Sequence, residues 1–142
     1  MTKIRRTLAI ALGAMAVIAA ACAGGGGGGG GSPTPSVRPN SPATIRIVEP
    51  TNGAVIHGST VHLVVAVHGA RIVKPTTTHI VPTQGHIHVY LDARLISMNY
   101  GLTQTVPGVT RGAHVLQVEF VASDHLPWNP RIREAVSFTV KA

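Results

Sequence analysis

The sequence predicts an all-β protein, a sandwich of short antiparallel strands, and three observations carry that expectation. Beyond residue 43, the 142-residue chain breaks into short runs rich in Val, Ile, Leu and Phe. Gly, Pro, Asn and Thr separate those runs, as strands joined by turns require. No stretch there repeats apolar residues with the period of an amphipathic helix.

Three segments make up the chain. Residues 1–21 open with Lys3, Arg5 and Arg6, then run apolar from Leu8 to Ala21 with only Gly13 intervening. That is the layout of a secretory signal peptide, and it falls short of the roughly 20 apolar residues a transmembrane helix needs. The small residues Ala19-Ala20-Ala21 before Cys22, the only cysteine, resemble the lipobox of bacterial lipoproteins. The resemblance implies acylation of Cys22 as the mature N-terminus. The product would be exported and held by lipid to the outer face of the cell membrane or to the outer membrane. The alternative is ordinary cleavage nearby, leaving a soluble secreted protein with a free thiol.

Residues 22–42 carry an unbroken glycine tract from Gly24 to Gly31, then Ser32-Pro33-Thr34-Pro35-Ser36 and on to Pro42. Such a composition cannot offset the entropy cost of folding, so a disordered tether is expected. About 20 such residues hold a folded module about 25 Å from its anchor on average. Residues 43–142 are then one domain, large enough for its own core.

The formal charge of +7 shrinks once the three basic residues of the leader are removed, leaving nine basic and five acidic residues. The remaining arginines are scattered singly and aromatic residues are few, so no nucleic-acid surface is expected. With no second cysteine, the fold rests on its apolar core and not on disulfides. A monomer is expected.

Strands are expected at 44–48, 61–68, 86–92, 95–98, 103–106, 114–122 and 135–140. Seven short strands at this spacing suggest an immunoglobulin-like arrangement. Three stretches also resemble the immunoglobulin-like domains of bacterial surface proteins. Ile47-Val48-Glu49-Pro50-Thr51-Asn52-Gly53 looks like a first strand and its Pro-x-x-Gly turn. Val89-Tyr90-Leu91-Asp92 looks like a third strand, and Gly112-Ala113-His114-Val115-Leu116-Gln117-Val118 like a sixth. The resemblance implies architecture and not activity. Two departures stand out. Ala93 occupies a position that is often glycine, which implies a different turn; Asp124-His125-Leu126-Pro127-Trp128 implies a longer loop after the sixth strand.

The chemistry is concentrated in histidine. In Gly85-His86-Ile87-His88-Val89-Tyr90-Leu91 the period of two sends Ile87, Val89 and Leu91 to the core and leaves His86, His88 and Tyr90 outside. On the sixth strand His114, Leu116, Val118 and Phe120 point inward, and the opposite parity runs on to His125. Antiparallel pairing of those two strands brings His86 and His88 to the region of Ser123 to His125. Zinc and copper both favour imidazole ligands, so His86, His88 and His125 form a candidate metal site, with Asp124, His79 or His68 as a fourth ligand. The same residues also suit a structural or adhesive module that binds another envelope protein or a glycan, its histidines merely solvated.

The inward His114 is expected to bond the preceding turn, as its counterpart does in the resembling domains. His57 and His62 are expected at the surface of the opposite pole. A blue-copper centre needs a thiolate that this domain lacks. No enzyme is expected, because Ser123, Asp124 and His125 are consecutive and cannot form a triad on one strand face. Trp128, between Pro127 and Pro130, is either an exposed contact for a partner or an indole folded back to cap the core.

Overall fold

The computed structural model describes residues 37–74 and 79–142. Cys22, the leader and the glycine tract lie outside the described residues. Nine strands are present among those described, and no helix: β1 (Thr44–Glu49), β2 (Ala54–His57), β3 (Val61–His68), β4 (Arg71–Ile72), β5 (Gln84–Leu91), β6 (Arg94–Asn99), β7 (Thr103–Val106), β8 (Gly112–Val121) and β9 (Pro127–Lys141). All seven expected strands are among them. Sequence reasoning missed the four-residue β2 and the two-residue β4, both too short to show a period.

The strands form two sheets, one ordered β1-β3-β7 and one ordered β2-β9-β8-β5-β4, with β6 also pairing β5. The pairing is antiparallel except at two places: β2 runs parallel to β9 and β4 parallel to β5. Ile45, Ile47, Val61, Leu63 and Val65 of the small sheet face Ile87, Val89, Leu116, Val118, Phe120, Val136 and Phe138 of the large one. This is the immunoglobulin-like sandwich expected from the number and spacing of the strands, its inner faces apolar.

The β5–β6 hairpin corrects one expectation. Leu91 pairs with Arg94, so Asp92 and Ala93 alone make the turn. Both have positive φ, 50° and 65°. Ala93 therefore adopts the left-handed conformation that glycine would take more cheaply; the turn is the usual two-residue one, and the alanine bears its strain.

The stretch after β8 departs more. Val121 pairs with Pro127 while the adjacent Phe120 pairs with Ile132, so Trp128 to Arg131 bulge out of the ladder. The expected long loop is instead a tight turn at 122–126 followed by the bulged start of β9. That bulge drives Trp128 into the core, 1% exposed and stacked on Phe120 at 6.4 Å. Trp128 is thus not available as a partner contact: burying the indole is worth more than presenting it.

Candidate metal centre

Parity excludes His86 and His88 from the inner face, as expected: Ile87 and Val89, which alternate with them along β5, are fully buried in the core. Their own surroundings are not those of a solvated sheet face. His86 is 0% exposed and His88 6%. Across the ladder His86 faces Val121 and His88 faces Glu119 on β8. On the other side His88 faces Met98 of β6, and the Tyr100 ring lies 5.3 Å from that of His86. Two long neighbours and a turn therefore build a second, partly polar layer outside the sandwich.

The turn supplies the third imidazole. The His125 amide donates to the Ala122 carbonyl at 3.0 Å, and His125 has a φ of 65°. This left-handed residue, and not a continued strand, folds the ring back over β5. The expectation from parity reached the right residue by a mechanism the chain does not use.

His86 Nε2 lies 3.2 Å from His88 Nε2 and 3.1 Å from His125 Nδ1. All three ligand-bearing nitrogens lie within 4.8 Å of one another. A single ring nitrogen offers one proton or one lone pair, so His86 Nε2 cannot make a full hydrogen bond to both neighbours. Its Nδ1 is buried without a hydrogen-bond partner. Burial, reinforced by His88 and His125, lowers the His86 pKa from 6.5 to about 4. Burial and then His125 lower that of His88, against the opposing pull of Glu119. At neutral pH both rings are neutral, with lone pairs to give.

Such spacing fits one cation. With metal–nitrogen bonds of about 2.0–2.1 Å and tetrahedral angles, two ligand nitrogens lie about 3.3 Å apart. The two short separations are close to that value.

Gly85 is what lets β5 come so near β8. A Cβ at that position would press directly on the Val121 carbonyl oxygen and come within 2.8 Å of the Phe120 ring. Glycine at residue 85 thus fixes where His86 starts.

The proposed fourth ligands are not brought in. The Asp124 carboxylate is taken by Arg38, at 2.6 and 3.1 Å, and the guanidinium holds its pKa below the usual range. It also accepts from the Leu126 amide. His68 is exposed at the end of β3, paired with Thr44 in the small sheet. His79 is exposed and is not among the three clustered histidines.

Sequence reasoning missed three neighbours: Glu119, Arg131 and Arg38. Glu119 is 1% exposed and accepts two 2.6 Å bonds from Arg131, which the β9 bulge swings over it. A lone acid in an apolar strand, Val118-Glu119-Phe120-Val121, was the available signal.

At the opposite end of β8, His114 plays the expected structural part. Its Nε2 donates to the Thr110 carbonyl and its Nδ1 meets Asp92, each at 2.8 Å. Asp92 also accepts from the Val115 amide. Exposed His57 and His62 stand apart from the cluster, as expected.

No protein-family model and no curated protein matches the chain. Several solved structures are similar. A fibronectin(III)-like module of CbhA from Clostridium thermocellum has 22% identity and a TM-score of 0.49, over 69% of this chain and 96% of that one. The PKD domain of human KIAA0319 has 18% identity and a TM-score of 0.43, over 79% and 92%. CopC from Methylosinus trichosporium OB3b has 15% identity and a TM-score of 0.38, over 70% and 93%. At these identities the likeness concerns the path of the backbone alone.

Proposed function

We propose that this immunoglobulin-like module is a lipid-anchored extracytoplasmic binding protein that takes up copper or zinc through His86, His88 and His125 and serves in metal capture or delivery. One observation carries the metal reading: the ring nitrogens of His88 and His125 lie at ligand-to-ligand spacing from His86 Nε2, and two of the three rings are buried. Neutral imidazole suits both metals. His125, from the turn, leaves one side open for exchange with a donor or acceptor. The anchoring reading rests on the lipobox-like sequence ending in Cys22.

The test is metal content and titration calorimetry on the chain from residue 22 carrying Cys22→Ser, made without a polyhistidine tag. Copper or zinc should bind tighter than micromolar, and the His125→Ala variant should lose that affinity. His125 is chosen because it lies outside the sheet, so the fold survives its loss. Binding weaker than micromolar, or equal in the variant, removes the metal reading. Anchoring is tested by mass: a native chain without acyl groups on Cys22 contradicts it.

A further inference from the structure

The last residues before β1 do more than connect. Arg38 and Pro39, in the stretch read from composition as tether, lie against the turn that carries His125 and the start of β9. Arg38 donates from Nη1 to Asp124 Oδ2 at 2.6 Å and from Nη2 to Asp124 Oδ1 at 3.1 Å. It also donates from Nε to the Pro127 carbonyl at 3.0 Å and from Nη2 to the Leu126 carbonyl at 3.2 Å. One residue further on, the Pro39 carbonyl accepts from the Asn129 amide at 3.1 Å.

We infer that Arg38 is a positioning residue for the metal centre, and that the end of the tether is thereby part of the site; this rests on the metal reading above. The guanidinium bonds the residue before His125 and the two residues after it. It spans the turn from outside while the His125 ring projects inward. The turn's own bonds are few: the His125 amide to Ala122, the Ala122 amide to the Leu126 carbonyl, and the Leu126 amide to Asp124. A left-handed residue such as His125 is costly, and persists where its neighbours over-determine it. The bidentate Arg38–Asp124 pair supplies that restraint, since a planar fork fixes direction as well as distance.

His86 and His88 sit on a sheet strand and need no such help. The clamp thus acts on one ligand of three. Its consequence is a physical link between the segment before β1 and the site: displacing Arg38 from Asp124 frees His125 while leaving the other two imidazoles in place.

The test uses the chain from residue 22 with Cys22→Ser, its Arg38→Ala and Arg38→Lys variants, and zinc as the probe. In the metal-free Arg38→Ala protein, the NMR contact between the His86 and His125 rings should disappear while that between His86 and His88 persists. Zinc affinity should fall about tenfold, the usual scale for loss of a partner that orients a ligand. Lysine restores a charge but not the fork, so Arg38→Lys should recover only part of both readouts. Retention of the His86–His125 contact in Arg38→Ala, or loss of both contacts together as general loosening would give, overturns the inference. So does unchanged zinc affinity. Absence of zinc binding in the unsubstituted chain would sink the metal reading instead, and the ring contacts would still decide whether Arg38 positions His125.

Discussion

Glu119 stands directly across the β5–β8 pair from His88, buried to 1% exposure, with both carboxylate oxygens held by Arg131. The pairing joins the histidine cluster to the β9 bulge, from which Arg131 reaches over the sheet. A carboxylate in that position is tolerated because it is paired. Arg131→Ala is expected to destabilise the protein by about 3 kcal/mol, read from urea unfolding, through the unpaired buried charge it leaves behind. Adding Glu119→Gln should recover most of that loss. A double variant no more stable than Arg131→Ala would show that packing of the arginine stem, and not charge, is what matters.

Ala93 bears a φ of 65° in a turn that prefers glycine. Ala93 is exposed, so its methyl group buries little. Ala93→Gly should therefore stabilise the fold by about 1 kcal/mol, the strain released being partly offset by the greater freedom of glycine when unfolded. A lower unfolding midpoint in the glycine variant would contradict the assignment of strain.

His86 binds its proton less tightly in the fold, where its pKa is about 4, than in the unfolded chain near 6.5. The unfolded state then takes up more protons as the medium is acidified. The contribution of neutral His86 to stability is full above pH 6.5 and is lost as the pH falls toward 4. The expected loss is on the order of 2 kcal/mol, measured as urea midpoints at pH 7.5 and 4.5. His86→Leu should flatten much of that limb, and an unaltered limb would place the acid sensitivity elsewhere.

His114 and Asp92 behave in the opposite sense. The bond to Asp92 raises the His114 pKa above 6.5, while bonds from the Val115 amide and then His114 lower that of Asp92 below 3.8. The His114 contribution is complete below pH 6.5 and disappears as pH rises through its raised value; the Asp92 contribution is complete above pH 3.8 and is lost on further acidification. Their pair is at full strength between those limits. Asp92→Asn should bring the His114 titration, followed by NMR, back toward 6.5. A titration that stays where it was would mean that Thr110 alone sets it.

Much of this was legible in the residues. Alternation placed Ile87, Val89, Leu116, Val118 and Phe120 inside and kept His86 and His88 out of that core, because side chains on a strand alternate by covalent geometry. Antiparallel pairing of those strands then predicted their meeting with the end of β8. The brief strands β2 and β4 were illegible, since two to four residues carry no period.

Three outcomes belonged to the tertiary structure. His125 joins the other two rings through a left-handed turn, and that turn is held by Arg38, which lies 87 positions away in the sequence. The outer sheet face is covered by Tyr100, His125 and the Glu119–Arg131 pair, so two histidines that parity leaves outside are nonetheless buried. Trp128 goes inward because a bulge displaces four residues of β9. Sequence alone determined which face each strand residue takes, a local property of the chain. Whether that face meets water, and what its polar groups find there, depends on contacts between distant segments, which no local pattern encodes.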